Sequence, residues 1–203
     1  MATISTTYDV FISHSASDND VAAEVAENLE SAGLATFHGS RVLAGADASE
    51  AIWQALAESR AVIAIISPDT ATHSMGLIEI GASAAWNKPV FVLINGPSSM
   101  KLPVALDAYP VYPLSRLEDV IRSIRTGFEP LTDEERGFLK RLYKEFDMPS
   151  DQLSRSPRAL HDLTSQFKRK SHKQISGERL LWELLRMRKQ GQLPRLQSRK
   201  SPA

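Results

Sequence analysis

Apolar and polar positions over the first 130 residues switch repeatedly between two periods. Tyr8 to Ser13 (YDVFIS) is a short β-rich run, and the small polar residues from His14 to Asp18 mark its end. Val21, Val25 and Leu29, with Ala22, Ala26 and Ala32, then recur at steps of three and four, while Glu24, Glu27 and Glu30 fall elsewhere. That spacing predicts an amphipathic helix, opened by the capping-box pair Ser17 and Asp20 and stopped by Gly33. Leu34 to His38 reads as a shorter strand, Gly39 to Asp47 as a glycine-punctuated loop, and Ala48 to Ser59 as a helix with Ile52, Trp53 and Leu56 inward. Ala61 to Ile66 (AVIAII) is continuously apolar, which suits a strand covered on both faces, as in a parallel sheet. Helix Ser74 to Asn87 and strand Pro89 to Ile94 repeat the unit, and Tyr109 to Leu114 with Ser115 to Thr126 closes it. Five alternations of strand and helix predict an α/β fold, an open parallel five-stranded sheet flanked by helices with right-handed crossovers.

From Leu131 onward the pattern is helical only. Thr132 with Glu135 forms a capping box before an apolar face of Phe138, Leu139, Leu142, Tyr143 and Phe146. Ser156-Pro157 places a cap before proline at the first helical position, followed by Leu160, Leu163 and Phe167. Ser176 caps a third helix carrying Leu180, Leu181, Leu184 and Leu185, closed by Gly191 and Pro194. A small all-α three-helix region of about 65 residues is marginal by itself, so docking on the sheet domain or on another copy is expected. The tail QSRKSPA has too little apolar content to order itself. The organisation expected is therefore 1–130 as the α/β domain and 131–203 as a basic helical accessory domain with a disordered tail.

The formal net charge is zero, yet residues 1–130 carry 7 Lys and Arg against 15 Asp and Glu, and residues 131–203 carry 17 against 9. A basic second part suits a polyanion or the acidic part of another copy. The run Lys168-Arg169-Lys170-Ser171-His172-Lys173 reads first as a solvated helix end complementing the helix dipole, and only second as a nucleic-acid contact, because no aromatic platform is interleaved with it. A protein partner, a sensor or self-association is preferred for this region. The chain has no cysteine, which excludes disulfides, thiolate chemistry and cysteine-ligated zinc. With no run of about 18 apolar residues and no basic-then-apolar N-terminus, a cytoplasmic protein without a membrane partner is expected. The five histidines show no metal-ligand spacing, and the glycines match neither a Rossmann fingerprint nor a P-loop.

One carboxylate stands out. Glu79 lies in an otherwise apolar, small-residue helix (SMGLIEIGASAAW). In an open parallel sheet, ligands settle outside the carboxyl ends of the strands, so Ser13, His14 and Ser15 after the first strand face the loop Asp69 to Ser74 and the helix of Glu79 across a common crevice. The helix N-terminus beyond Ser13 and Ser15 is a natural phosphate site. Trp53 and Trp86 are expected in the core.

At these residues the chain resembles the Toll/interleukin-1 receptor (TIR) domain. YDVFISHSASD looks like its opening signature, LAGADASEAI its loop and second helix, and SMGLIEIGASAAWNKPV the form seen in bacterial members; the resemblance spans residues 7–128. It implies the flavodoxin-like TIR fold, self-association through a loop holding Arg41 and Asp47, and NAD as substrate with no cofactor and no metal. In enzymatic members a glutamate in this helix acts on the nicotinamide riboside, and Glu79 occupies that position. Ser13, His14, Ser15, Ser74 and Met75 are then the substrate-binding candidates, with Met75 where members commonly carry tryptophan. The activity implied is that of an NAD glycohydrolase or ADP-ribosyl cyclase in bacterial immune defence, activated by self-assembly. Two alternatives remain: a non-enzymatic TIR adaptor, and a nucleoside deoxyribosyltransferase-like enzyme, whose helix and strand EIGA and AxxKPV also resemble.

Overall fold

The computed structural model describes residues 8–39, 48–68, 74–97, 99–193 and 196; the side chains of Ala48, Ser74 and Met75, and all of Arg41 and Asp47, lie outside the described residues. Five strands, β1 (Tyr8–Ser13), β2 (Thr36–His38), β3 (Ser59–Ile66), β4 (Val90–Ile94) and β5 (Val111–Pro113), form one sheet in the order β2-β1-β3-β4-β5. Every pairing is parallel, with Ile12 opposite His38, Ser13 opposite Ala64, and Ile66 opposite Ile94. Helices α1 (Asn19–Ser31), α2 (Ala48–Glu58) and α3 (Ser74–Ala85) make the first three crossovers, a 3-10 turn at Val104–Leu106 lies in the connection from β4 to β5, and α4 (Leu117–Phe128) follows the last strand. The direction of winding reverses between β1 and β3, which puts the switch point at the end of β1.

Two compact units divide the chain. One comprises the described residues up to Ala84 together with Lys88–Ile124; the other comprises Ala85–Asn87 and the described residues from Arg125 onward.

In the first unit the unbroken apolar run of β3 is buried on both faces, as its composition requires. Phe11, Val62, Ala64, Ile66, Val90 and Val92 build a core with Ala55 and Leu56 of α2 and Ile80 of α3; Ile52 and Trp53 pack against it. The alternate positions Val10, Ile12, Ile63, Ile65, Phe91 and Leu93 point to the opposite face and are equally buried. The β3 strand starts two residues earlier than its apolar run. Ser59 pairs with Tyr8, while its hydroxyl donates to Ala55 O at 2.7 Å and so closes α2. Lys88 completes that closure by donating from Nζ to Ala57 O and to Ser59 O.

At the start of the first helix the structure differs from the expected Ser17–Asp20 capping box. Ala16–Asp18 form a 3-10 turn, α1 begins at Asn19, and neither cap position makes a side-chain capping bond. Ser17 Oγ lies 2.7 Å from Ser15 Oγ, and Asp18 turns inward. Formation of a buried hydrogen-bond cluster outweighs one exposed cap.

The second unit contains α5 (Asp133–Phe146), the short α6 (Ser150–Leu153), α7 (Pro157–Ser171) and α8 (Gly177–Lys189). All three expected caps are present. Thr132 accepts from Glu135 N at 3.2 Å while Glu135 accepts from Thr132 N at 2.7 Å; Ser156 accepts from Ala159 N and Ser176 from Arg179 N. The fourth helix, α6, has only one turn and no periodicity to announce it. Leu139, Leu142, Tyr143, Leu163, Phe167, Leu180, Leu184 and Met187 form the core. Asn87, in a left-handed conformation (φ 56°), joins this unit by accepting from Gly177 N at 3.0 Å, and His161 Nδ1 lies 3.1 Å from its Oδ1. Trp86 beside it is exposed rather than buried, contrary to expectation, because α3 ends at Ala85 and the chain turns there.

The basic run at the end of α7 does not form one cationic surface. Lys173 is buried and donates to Pro130 O and Glu135 Oε2, both at 3.2 Å, and burial pulls the Lys168 ammonium down to about 8.

Gly127 gives a direct check of this packing. A Cβ placed there would stand 2.0 Å from the backbone oxygen of Gln174. Gly127→Ala is expected to destabilise the chain by about 2–3 kcal/mol, since backbone rather than a flexible side chain must yield. Urea unfolding followed by circular dichroism measures it; an unchanged midpoint would contradict the packing.

Candidate functional site

The carboxyl ends of β1, β3 and β4 meet at one buried carboxylate. Asp18 is 2% exposed; its Oδ2 accepts from Ser15 Oγ at 2.6 Å and from Ser67 Oγ at 2.8 Å, and its Oδ1 accepts from Asn95 Nδ2 at 2.8 Å. Ser15 follows β1, Ser67 follows β3 and Asn95 follows β4. An anion this deep requires several donors, and three separate strand ends supply them. Because the Ser15 hydroxyl proton goes to Asp18, the Ser17 hydroxyl is the donor in the Ser15–Ser17 pair.

The same cluster sets the loop that carries the expected site residues. Ser15 O accepts from Asp18 N at 3.0 Å and lies 2.9 Å from His14 Nδ1. A carbonyl oxygen can only accept, so His14 carries a proton on Nδ1. Its Nε2 is buried and has no hydrogen-bond partner among the described residues. The His14 ring stands 6.1 Å from the ring of His38, at the end of β2.

Glu79 faces this loop from α3. Ser13 Oγ donates to Glu79 Oε2 at 2.5 Å, bridging 66 residues of sequence. One helical turn on, Ser83 Oγ bonds Glu79 O at 2.7 Å, and Ile80 is buried in the core, which fixes the rotation of the helix. Burial raises the Glu79 carboxyl above its usual range; the Ser13 hydrogen bond and the nearby His14 oppose that rise. The arrangement thus holds a partly desolvated carboxylate and an imidazole beside it at the mouth of a parallel sheet.

Of the residues expected from sequence, Ser13, His14 and Glu79 are brought together, and Ser15 serves as a link to Asp18 instead of facing Glu79. Ser74 and Met75 open α3, with side chains outside the described residues, as are Arg41, Asp47 and the loop 69–73. Asp18, Ser67 and Asn95 were not singled out. The available signal for Asp18 was an acid among small hydroxyl residues at a strand-to-helix turn.

An open parallel sheet in the order 2-1-3-4-5 with a carboxylate at its switch point places the first unit among flavodoxin-like α/β domains. The family model for the TIR domain matches residues 10–124, and the chain belongs to that family. Among solved structures, the TIR domain of the Toll-related receptor TRR-2 from Hydra magnipapillata is similar over 59% of this chain and 99% of its own, with 22% identity and a TM-score of 0.50. A TIR-STING receptor from C. gigas in complex with 2',3'-cGAMP is similar over 85% of this chain and 54% of its own, with 19% identity and a TM-score of 0.51. The present chain therefore spans about half of that receptor's length. No curated protein matches the chain. The family is one of immune signalling, and its domains commonly associate with one another. No helix among the described residues is long and apolar enough to cross a membrane.

Two outcomes are expected from this geometry. Asp18→Ala leaves three inward donors without their acceptor and should cost about 3 kcal/mol, read as a lowered urea midpoint. Glu79→Gln should act in the opposite direction, with a definite pH dependence. A carboxyl whose folded pKa is raised binds protons more tightly in the native state, so native stability declines as pH climbs from the ordinary carboxylate range through the raised value. The neutral variant should match wild type in acid and melt higher at neutral pH; a gap that is constant with pH would contradict the burial of Glu79.

Proposed function

We propose that the chain is a TIR-domain NAD glycohydrolase in which Glu79 stabilises charge developing on the nicotinamide riboside. The observation that carries this reading is the Ser13–Glu79 contact, which holds a part-buried acid at the end of β1, where resemblance to the TIR family expects the reacting glutamate.

Nicotinamide in NAD is already a cationic leaving group. When the bond from ribose C1′ to the pyridinium nitrogen breaks, its electron pair goes to that nitrogen and neutral nicotinamide departs without a general acid. The barrier lies in the oxocarbenium-like ribose. A carboxylate beside it lowers that barrier by electrostatics and by accepting from the ribose hydroxyls, as carboxylates do in glycoside hydrolysis. Water adding to C1′ and losing a proton gives ADP-ribose; attack by an adenine nitrogen gives a cyclic product. Burial strengthens every such interaction but also disfavours the anion, and the Ser13 hydroxyl and His14 counter that penalty. His14 Nε2, when neutral, is an acceptor for a substrate hydroxyl, and Ser13 fixes the Glu79 rotamer. Ser74 and Met75, the first residues of α3, are proposed as further substrate-binding residues.

Activation by self-assembly, in a bacterial defence setting, and a partner-sensing role for the helical unit complete the proposal. A second reading, a TIR adaptor that associates without turning NAD over, is favoured by Met75 standing where enzymatic members carry an indole, since a flexible thioether orients a ring less firmly.

Nicotinamide release by concentrated protein, followed by chromatography, tests the proposal. Glu79→Ala is expected to lower kcat by about a hundredfold or more, and Ser13→Ala by about tenfold, on the scale of lost electrostatic stabilisation. The wild-type rate should fall as pH drops through the Glu79 titration, whose midpoint lies above the usual carboxylate value. Equal rates for wild type and Glu79→Ala would overturn it, and TIR binding without turnover would favour the adaptor.

A further inference from the structure

Helix α8 contains a second acid that breaks an apolar stripe. Leu180, Leu184 and Met187 are buried against the helical core, and Glu183 falls on the same face, three residues after Leu180 and four before Met187. It is 2% exposed, and its Oε2 has no hydrogen-bond partner among the described residues. A buried carboxylate oxygen without a donor is costly, and leucine at this position would pack without that cost.

Glu183 forms part of the wall of a cavity of about 520 Å³, within the size range of small-molecule sites. Arg136 and Lys140 on α5 and Arg186 on α8 line the same cavity. Asp133 engages Arg136 at 3.0 Å, and Arg186 lies over the exposed Trp182 ring at 5.7 Å. Lys140 and Arg186 have no carboxylate partner among the described residues. The wall therefore offers one acceptor lacking a donor and two cations lacking an anion.

We infer that the cavity between α5 and α8 binds a phosphorylated polyol of the sugar-phosphate class, with a hydroxyl donating to Glu183 and the phosphate held by Lys140 and Arg186. An anion alone would answer the cations but leave Glu183 without a donor. A simple polyol would do the reverse. Among the described residues no aromatic side chain lines the cavity, so stacking of a base is not what the wall provides. This site lies wholly within the helical unit and stands independently of NAD cleavage at Glu79.

Isothermal titration of the full chain with three separate probes, ribose 5-phosphate, ribose and inorganic phosphate, tests the inference. Ribose 5-phosphate is expected to bind at least about tenfold more tightly than inorganic phosphate, with ribose alone giving no heat, because one satisfied buried group is worth about that factor. Glu183→Gln should bring ribose 5-phosphate to within about twofold of phosphate, and Lys140→Ala should weaken both phosphates alike. Lys140 is half-buried at the cavity wall, so that variant reports on binding even if position 183 proves sensitive for folding. Absence of ribose 5-phosphate binding, affinity no greater than that of phosphate, or an undiminished preference in Glu183→Gln would each overturn the inference.

Discussion

The first unit depends on a carboxylate that never reaches the surface. Asp18 accepts hydrogen bonds from Ser15, Ser67 and Asn95, each lying just beyond the end of a different strand. Parallel strands impose no local turn on one another, so their ends must be brought into a common arrangement by side chains. One anion with three charge-assisted donors does this over a short radius. The strand register alone would leave the loop after β1 free to choose among conformations. With Ser15 bound through both its hydroxyl and its carbonyl, the preceding His14 is committed to one tautomer and Ser13 to one direction. The position of Glu79 opposite Ser13 follows from that commitment together with the burial of Ile80 on α3.

Glu79 and Asp18 sit close in the fold but differ in environment, and the difference separates their roles. Asp18 has its donors in full and is closed off, which suits an anchor. Glu79 is only partly buried, with one side-chain donor among the described residues and a raised pKa, which suits a group that gains partners when a ligand arrives. The two carboxylates are thus assigned by their surroundings, since neither residue type nor sequence spacing distinguishes an anchor from a reacting group. In the helical unit the same contrast recurs between Glu135, which bonds Thr132 N and Lys173, and Glu183, which has an oxygen without a partner among the described residues.

Much of this was legible before the structure. The apolar run of β3 announced a parallel sheet, and the serine and threonine caps before Asp133, Pro157 and Gly177 announced three helices, because both signals are local: a hydroxyl at the right spacing satisfies the same amide groups wherever the helix packs. Glu79 was legible for a related reason, as a charge in a helix apolar on nearly every face. Asp18 was not. Its partners lie 3, 49 and 77 residues away, and nothing in H-S-A-S-D distinguishes an acid that turns inward from one that caps a helix. Trp86 was misjudged for the converse reason: its apolar ring suggested core, but the left-handed turn at Asn87 ends α3 just before it. The one-turn helix α6 has no period to read, and the basic run of α7 looked like a surface until Lys173 was seen to turn inward to Glu135.

The Asp18 cluster holds the β1 loop against Glu79 and keeps that carboxyl partly out of water. The most direct test is a carbon-13 NMR titration of the Glu79 side-chain carboxyl in wild type and in Asp18→Asn. Glu79 is expected to titrate above the usual carboxylate range in wild type and to move back toward it when the cluster is broken and the loop admits water. A Glu79 titration at the ordinary value, or a raised value indifferent to Asp18, would contradict it.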